Sequence, residues 1–303
     1  MSRTSLTVFP DHKPADREPS DAETHAAAAR REAHRQVGAP RNVDDSFNMR
    51  SAPHFVDRWS AERAPRGPVT RELRASFDGE RVAAFVVSLC EVGSGGCRDL
   101  AESALLECED PQTVVELLFE PAARLVGESW DMDDSDFLKV TVAIARMQTM
   151  FREMTYDHPP AVPPNARKRL LLASAPGDQH AFGLAVVDDA FRRAGWDVDC
   201  CGCDEGVDLF RLAASTDYRI IGLSVSTERL LPEVRRLAAR LKATSRNRSV
   251  VLMAGGSLVV LDPQLVLDAG FDLTATDAAS AVRLAEEAFR STAVRNGLQM
   301  AAE

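Results

Sequence analysis

Between residues 169 and 292, short and almost unbroken apolar runs alternate with longer amphipathic segments. The runs are 169–175, 196–200, 218–226, 249–254 and 272–276. The segments 181–194, 206–214, 229–243, 263–268 and 278–290 have helical spacing. Strands without polar alternation must be covered on both faces, and a helix between consecutive strands is the crossover that parallel pairing requires. The pattern predicts an α/β domain with a five-stranded parallel sheet. It is Rossmann-like, and closer to a flavodoxin-like order than to a six-stranded dinucleotide fold. No repeat of period 20–50 interrupts it.

Residues 70–154 read as helical throughout. Leu73, Phe77, Val82, Phe85, Val86 and Leu89 mark a helix over 70–91, and Leu100, Ala104, Leu105 and Cys108 one over 97–109. A third starts at Pro111 and carries Val114, Val115, Leu117, Leu118, Ala122, Leu125 and Val126. A fourth, over 134–154, carries Phe137, Val140, Thr141, Ile144, Met147, Met150 and Phe151. Four amphipathic helices with short joints predict a four-helix bundle.

Pro159, Pro160, Pro163 and Pro164 make 155–168 a semi-rigid linker between bundle and sheet domain. Residues 1–69 are polar and proline-rich, with too little apolar area to offset chain entropy. They are expected to be a disordered regulatory arm, with a transient helix over 20–36. Residues 293–303 are expected to be a tail.

Charge is uneven. The chain carries −10, with +2 over residues 1–75 and −12 over the rest. An acidic body argues against direct DNA binding. No apolar run reaches the ~18 residues of a membrane span, and no signal-peptide core is visible, so the cytoplasm is the expected compartment. In a reducing compartment the six cysteines are not a disulfide framework. Cys200, Cys201 and Cys203 have no second ligand cluster, so they are expected to pack at the end of the second strand rather than to bind metal.

Open α/β sheets bind ligands beyond the carboxyl ends of their strands. Gly177–Gly183 follows the first strand, Ser224-Val225-Ser226 the third, and Gly255-Gly256 the fourth. There is no G-x-G-x-x-G and no Walker Lys-Ser/Thr pair, which disfavours a phosphate cradle. His180 lies on the loop where a side chain projects over the sheet edge, and Asp178 stands two residues away to hold one ring nitrogen while the other binds a metal. Gly183 has no side chain to obstruct a large ligand. Ser224 and Ser226 suit a narrow slot with hydrogen bonds to a buried ring nitrogen, and Gly255 and Gly256 admit a flat ligand. Alone, His180 reads as a loop histidine bonded to its neighbour. The spaced set is more specific.

That set is Asp178-x-His180-x-x-Gly183, Ser224-x-Ser226 beginning 44 residues after the histidine, and Gly255-Gly256 about 30 further on. Over 169–292 it resembles the cobalamin-binding domains. The resemblance implies base-off, His-on cobalamin, in the adenosyl or hydroxo form, with His180 as the metal ligand. Asp178, Gln179, Ala181, Phe182, Gly183, Ser224, Val225, Ser226, Gly255 and Gly256 would be the cofactor-binding positions of this domain. Ser226 stands where many members carry Thr.

In the bundle, Gly127-Glu128-Ser129-Trp130 precedes a second stretch, Trp130-x-x-Asp133-x-x-x-Phe137-x-x-Val140-Thr141. It is similar to the photosynthesis antirepressors of the AerR/PpaA type, with Trp130 placed against the upper face of the corrin. The Glu-His pair of repressor-type photoreceptors is replaced here by Val140 and Thr141. This resemblance covers about 70–292. It implies a cofactor-controlled, light-responsive transcriptional regulator that is not an enzyme and whose partner is a repressor of the CrtJ/PpsR type. Two other classes share the features: a corrinoid methyl carrier of a methyltransferase system, and a haem-based redox sensor with His180 on iron. His12, His25, His34, His54 and His158 are expected to be solvated, with a second cobalt ligand among them as an open idea.

Overall fold

The computed structural model of the 303-residue chain describes residues 70–91, 93, 95–130, 137–178, 181–201 and 208–300, with the backbone alone at 128–130, 137 and 292–300. The expected arm, its helix over 20–36, and His12, His25, His34 and His54 lie outside the described residues.

The first part is all helix. α1 (Arg71–Ser76) is capped by Thr70, whose Oγ1 accepts from the Leu73 N–H at 3.1 Å. α2 (Gly79–Cys90) is capped by Asp78, which accepts from the Arg81 N–H at 2.9 Å. The single helix expected over 70–91 is therefore two. Phe77 leaves the helical region at φ −103°, ψ 59° and turns its ring into the core, where it is 3% exposed. A new cap at Asp78 then restarts the helix. α3 (Gly95–Cys108) follows.

Pro111 opens α4 (Pro111–Val114) in the first-turn position expected of it, with Asp110 accepting from the Thr113 N–H and Oγ1 at 2.8 Å each. α4 passes into a π turn (Val115–Phe119) and then α5 (Glu120–Trp130). Phe119, absent from the spaced apolar set, is fully buried, its ring 5.5 Å from that of Phe85. α6 (Phe137–Asp157) completes the cap, burying Val140, Ala143, Met147 and Phe151. α2 packs against α3, α5 and α6.

The second part is β1 (Asn165–Ser174), α7 (Ala181–Arg193), β2 (Trp196–Cys200), α8 (Leu209–Ser215), β3 (Ile220–Ser224), a 3-10 turn (Glu228–Leu230), α9 (Leu231–Thr244), β4 (Val251–Gly255), α10 (Ser257–Leu261), α11 (Pro263–Asp268), β5 (Leu273–Thr274) and α12 (Ala278–Met300). The five strands are parallel in the order β2-β1-β3-β4-β5. That is the flavodoxin-like order, with its switch point between β1 and β3. One apolar core holds Leu171, Ile221, Leu223 and Leu252 with α9, and the other holds Leu170, Ile220 and Met253 with α7 and α12. Consecutive residues of one strand thus feed opposite faces, the reason the runs show no alternation.

The expected boundaries move at the linker. α6 continues to Asp157, and β1 begins at Asn165, whose N–H donates to the Gly195 carbonyl at 2.9 Å. Only 158–164 separates them. The expected tail is occupied by α12 as far as Met300, and α10, which the spacing did not suggest, starts directly after Gly256. Among the described residues, no helix is long and apolar enough to cross a membrane.

Candidate functional site at the carboxyl edge

The carboxyl edge is level across the three central strands. Ser174 ends β1, Ser224 ends β3 and Gly255 ends β4, and the register pairs Ser174 with Ser224 and Ser224 with Gly255. Pairing goes one step further: the Ala175 N–H donates to the Ser224 carbonyl and the Val225 N–H to the Gly255 carbonyl, both at 2.8 Å. Three small residues therefore stand in a row at the switch point, where ligands of this topology bind.

After β1 the chain turns at Gly177, with φ +82°, and the Asp178 N–H donates to the Ala175 carbonyl at 2.9 Å. Asp178 is buried, 4% exposed. Gln179 and His180 lie outside the described residues, so the expected metal ligand has no described geometry. α7 then opens with exposed Ala181, buried Phe182 and Gly183. A Cβ built on Gly183 meets nothing within 4 Å, so there is open room beside the helix start.

After β3, Val225 is fully buried in the core shared with α9. Its carbonyl accepts from the Leu258 N–H at 3.2 Å, so its backbone and side chain are both committed to the fold. Ser224 is half-buried and Ser226 buried, and the Ser226 carbonyl accepts from Ser257 Oγ at 2.8 Å. Gly256 has φ +101°, and a Cβ there would lie 2.4 Å from the Val225 carbonyl oxygen. Glycine is needed at 256 for the protein's own backbone, whether or not a flat ligand approaches.

The cap meets the sheet domain at this same edge. The Phe182 ring packs edge to face on Phe151 of α6, and Arg124 Nη2 of α5 donates to the Thr276 carbonyl, just after β5, at 2.7 Å. At the other end of α7, Arg193 Nη2 donates to the His158 carbonyl at 2.8 Å. Trp130 is the last residue of α5, and its side chain lies outside the description, as do Asp133, Asp134 and Asp136. Val140 is buried in α6 and Thr141 is exposed. Ser174 and Arg124 are contributors that spacing did not single out, and spacing marks Phe151 only as a residue of the bundle helix.

Cys200 ends β2 exposed. Cys201 is half-buried against the core, its N–H donating to the Leu172 carbonyl at 2.9 Å. Cys203 lies outside the described residues. Among the described residues no group of three or more His, Cys, Asp or Glu side chains is placed to hold a metal ion.

Residues 168–283 match the family model described as the B12 binding domain. The chain is 29% identical over 157 residues to an uncharacterised 20.5 kDa protein in the bchF-crtJ intergenic region of Rhodobacter capsulatus, an alignment covering 52% of this chain and 81% of that protein. Its fold is similar to the monomethylamine corrinoid protein of Methanosarcina barkeri, with a TM-score of 0.56 at 18% identity over 69% of this chain and 96% of the other. A cobalamin-binding protein from Desulfitobacterium hafniense aligns at 18% identity over 68% of this chain and 98% of its own, with a TM-score of 0.36. The stretch similar to that family model, residues 168–283, holds the small-residue edge formed by Ser174, Ser224 and Gly255.

Proposed function

We propose that this chain is a cobalamin-dependent, light-responsive transcriptional regulator, an antirepressor whose hold on a repressor of the CrtJ/PpsR type is set by its cofactor. The observation that carries the cofactor is the row of Ser174, Ser224 and Gly255 inside the matched B12-binding domain. The regulatory role is supported by the R. capsulatus relative, whose name sets it between bchF and crtJ.

The residues suit a flat macrocycle that carries a tail. The row of small residues puts little side-chain bulk at the sheet edge, and the space beside Gly183 is open. In this reading His180 is the metal ligand, and buried Asp178 fixes the orientation of its ring. Ser224 and Ser226 line the tail slot, and Trp130 stands on the cap side. When bound, the corrinoid supplies a cobalt–carbon bond that light breaks. The chain's own part is to hold the cap in one arrangement before that event and in another after it. The contacts that register the change are Phe151 with Phe182 and Arg124 with the Thr276 carbonyl. Repressor affinity then changes only as far as the two arrangements differ in what they present. The chain acts by binding, not by catalysis.

The test is the absorption spectrum of the full chain loaded with adenosylcobalamin, dark and illuminated, with repressor binding titrated in both states. Bleaching within minutes and a light-dependent affinity are expected, and His180→Ala should lose the pigment. A light-stable protein that accepts methyl groups would make it a methyl carrier. Retention of haem in place of cobalamin would make it a haem sensor. Full pigment and unchanged colour in His180→Ala would end the proposal.

A further inference from the structure

The chain carries −10, yet between Glu228 and Arg248 it has seven basic residues against two acidic ones. These residues form the 3-10 turn, α9 and the turn that follows. Val234, Leu237, Ala238 and Leu241 bury the inner face of α9 on the sheet, and all seven basic residues are left exposed.

Two of the seven are neutralised: Arg236 by Glu233 and Lys242 by Asp272 at 2.7 Å. The other five have no carboxylate among the described residues. Among the described residues Arg229 and Arg235 make no side-chain hydrogen bond, ion pair or ring contact. Arg240 lies over the Phe210 ring, 3.7 Å from its centroid. Arg246 and Arg248 donate to the Ser215 and Ala243 carbonyls, both at 3.0 Å. Arg236 and Arg240, four residues apart, share one stripe along α9, Arg235 and Lys242 lie about a quarter turn round the same exposed side, and Arg229 stands in the 3-10 turn just before the helix. The stacking and the carbonyl contacts hold three guanidinium groups in place in advance, which reduces the entropy a partner must overcome.

We propose that this outer face of α9 is a docking surface for an acidic protein segment, a run of Asp and Glu carboxylates on a partner. Guanidinium groups take carboxylates with two parallel hydrogen bonds. A nucleic acid duplex suits the face less well. It carries a phosphate charge every ~1.7 Å and extends past a 14-residue helix, so it would press on Glu228, Glu233 and the acidic remainder of the chain. A short flexible segment meets the arginines alone. This inference stands apart from the cofactor reading.

The test is fluorescence anisotropy on the full chain with two probes, a labelled glutamate peptide of about ten residues and a labelled duplex of about 20 base pairs. The peptide should bind, weaken as salt rises, and lose at least about tenfold in affinity in Arg229→Glu/Arg235→Glu/Arg240→Glu. Arg71→Glu/Arg152→Glu/Arg167→Glu, an equal charge change at exposed sites elsewhere, should keep its affinity. Circular dichroism checks the fold. If the triple variant unfolds, Arg229→Glu/Arg235→Glu, which removes no hydrogen bond, ion pair or ring contact among the described residues, takes its place. Absence of peptide binding, equal loss in both variants, or a duplex that binds more tightly than the peptide and is lost with the α9 arginines would each overturn the proposal.

Discussion

The Phe151 ring meets the Phe182 ring edge to face, centroids 5.8 Å apart and planes at 84°. One ring belongs to the last helix of the cap, the other to the first turn after the loop that carries Asp178 and His180. Both residues are 6% exposed. Phe151→Ala removes a buried ring and leaves a cavity, and should cost about 3–5 kcal/mol in urea unfolding. Phe151→Leu should recover most of it. Cobalamin retention should follow the same order, because the cap then loses its grip on the start of α7.

The two glycines of the edge should part company. Gly256→Ala puts a methyl 2.4 Å from a backbone oxygen at a positive φ, so the variant should be destabilised by at least about 2 kcal/mol in thermal or urea unfolding. Gly183→Ala, in open space on a helix, should leave the cofactor-free protein as stable as before or more so, by up to ~1 kcal/mol. A bulkier Gly183→Phe should fold and fail to take up cobalamin, read by absorbance after gel filtration.

Arg193 binds the half-buried Asp189 at 2.6 Å and the His158 carbonyl at 2.8 Å. Burial holds the Asp189 carboxyl above the usual carboxylate range, and the bond to Arg193 works against that shift. Arg193→Ala should cost about 3 kcal/mol at neutral pH by stranding the carboxylate. A raised folded-state value favours the folded protein at low pH and loses that contribution as pH rises. The gap between wild type and Arg193→Ala should therefore narrow as pH falls from 7 toward about 4, measured by urea unfolding at each pH.

Burial, and then the neighbouring Glu107, push the Cys108 thiol up to about 11 from an ordinary value of 9.0. Tyr218 is also raised, first by burial and then by its hydrogen bond to Asp199. Both groups favour folding while protonated. That contribution is complete below pH about 9 and is lost as the unfolded chain ionises first, so stability should fall between pH about 9 and 11. At pH 8 iodoacetamide should modify exposed Cys200 first, with Cys108 slower than an ordinary thiol by about 100-fold, followed by mass spectrometry.

How much of this was readable from residue order depends on what each residue touches. Leu170–Ala173, Ile220–Leu223 and Leu252–Ala254 are apolar on both faces, so the parallel sheet is evident from the runs themselves. The position of Ser174 is not. It reads as an ordinary strand end until the register sets it beside Ser224 and Gly255. Asn165–Lys168 reads as linker because it is polar and follows two prolines, yet Asn165 pairs with Trp196 of β2 and the pairing resumes at Arg169 after a shift in register. Phe151 looks like any core phenylalanine, and only the tertiary contact with Phe182 gives it a second role. Arg124 and Arg193 act through carbonyls of other segments, and hydrogen bonds to backbone leave no mark on the sequence of the acceptor.

The π turn at Val115–Phe119 has a consequence for how such a cap can change over evolution. Each residue added to a helix rotates everything after it by about 100°. The wide turn absorbs one extra residue while keeping Ala122, Leu125 and Val126 in the core. Deletion of one residue there would restore a regular helix and leave the end that bears Trp130 aimed as before, because the turn had already absorbed that residue's rotation. A codon lost beyond Phe119, in the regular part of α5, would turn that helix end by about 100°, whereas one lost within the wide turn would not.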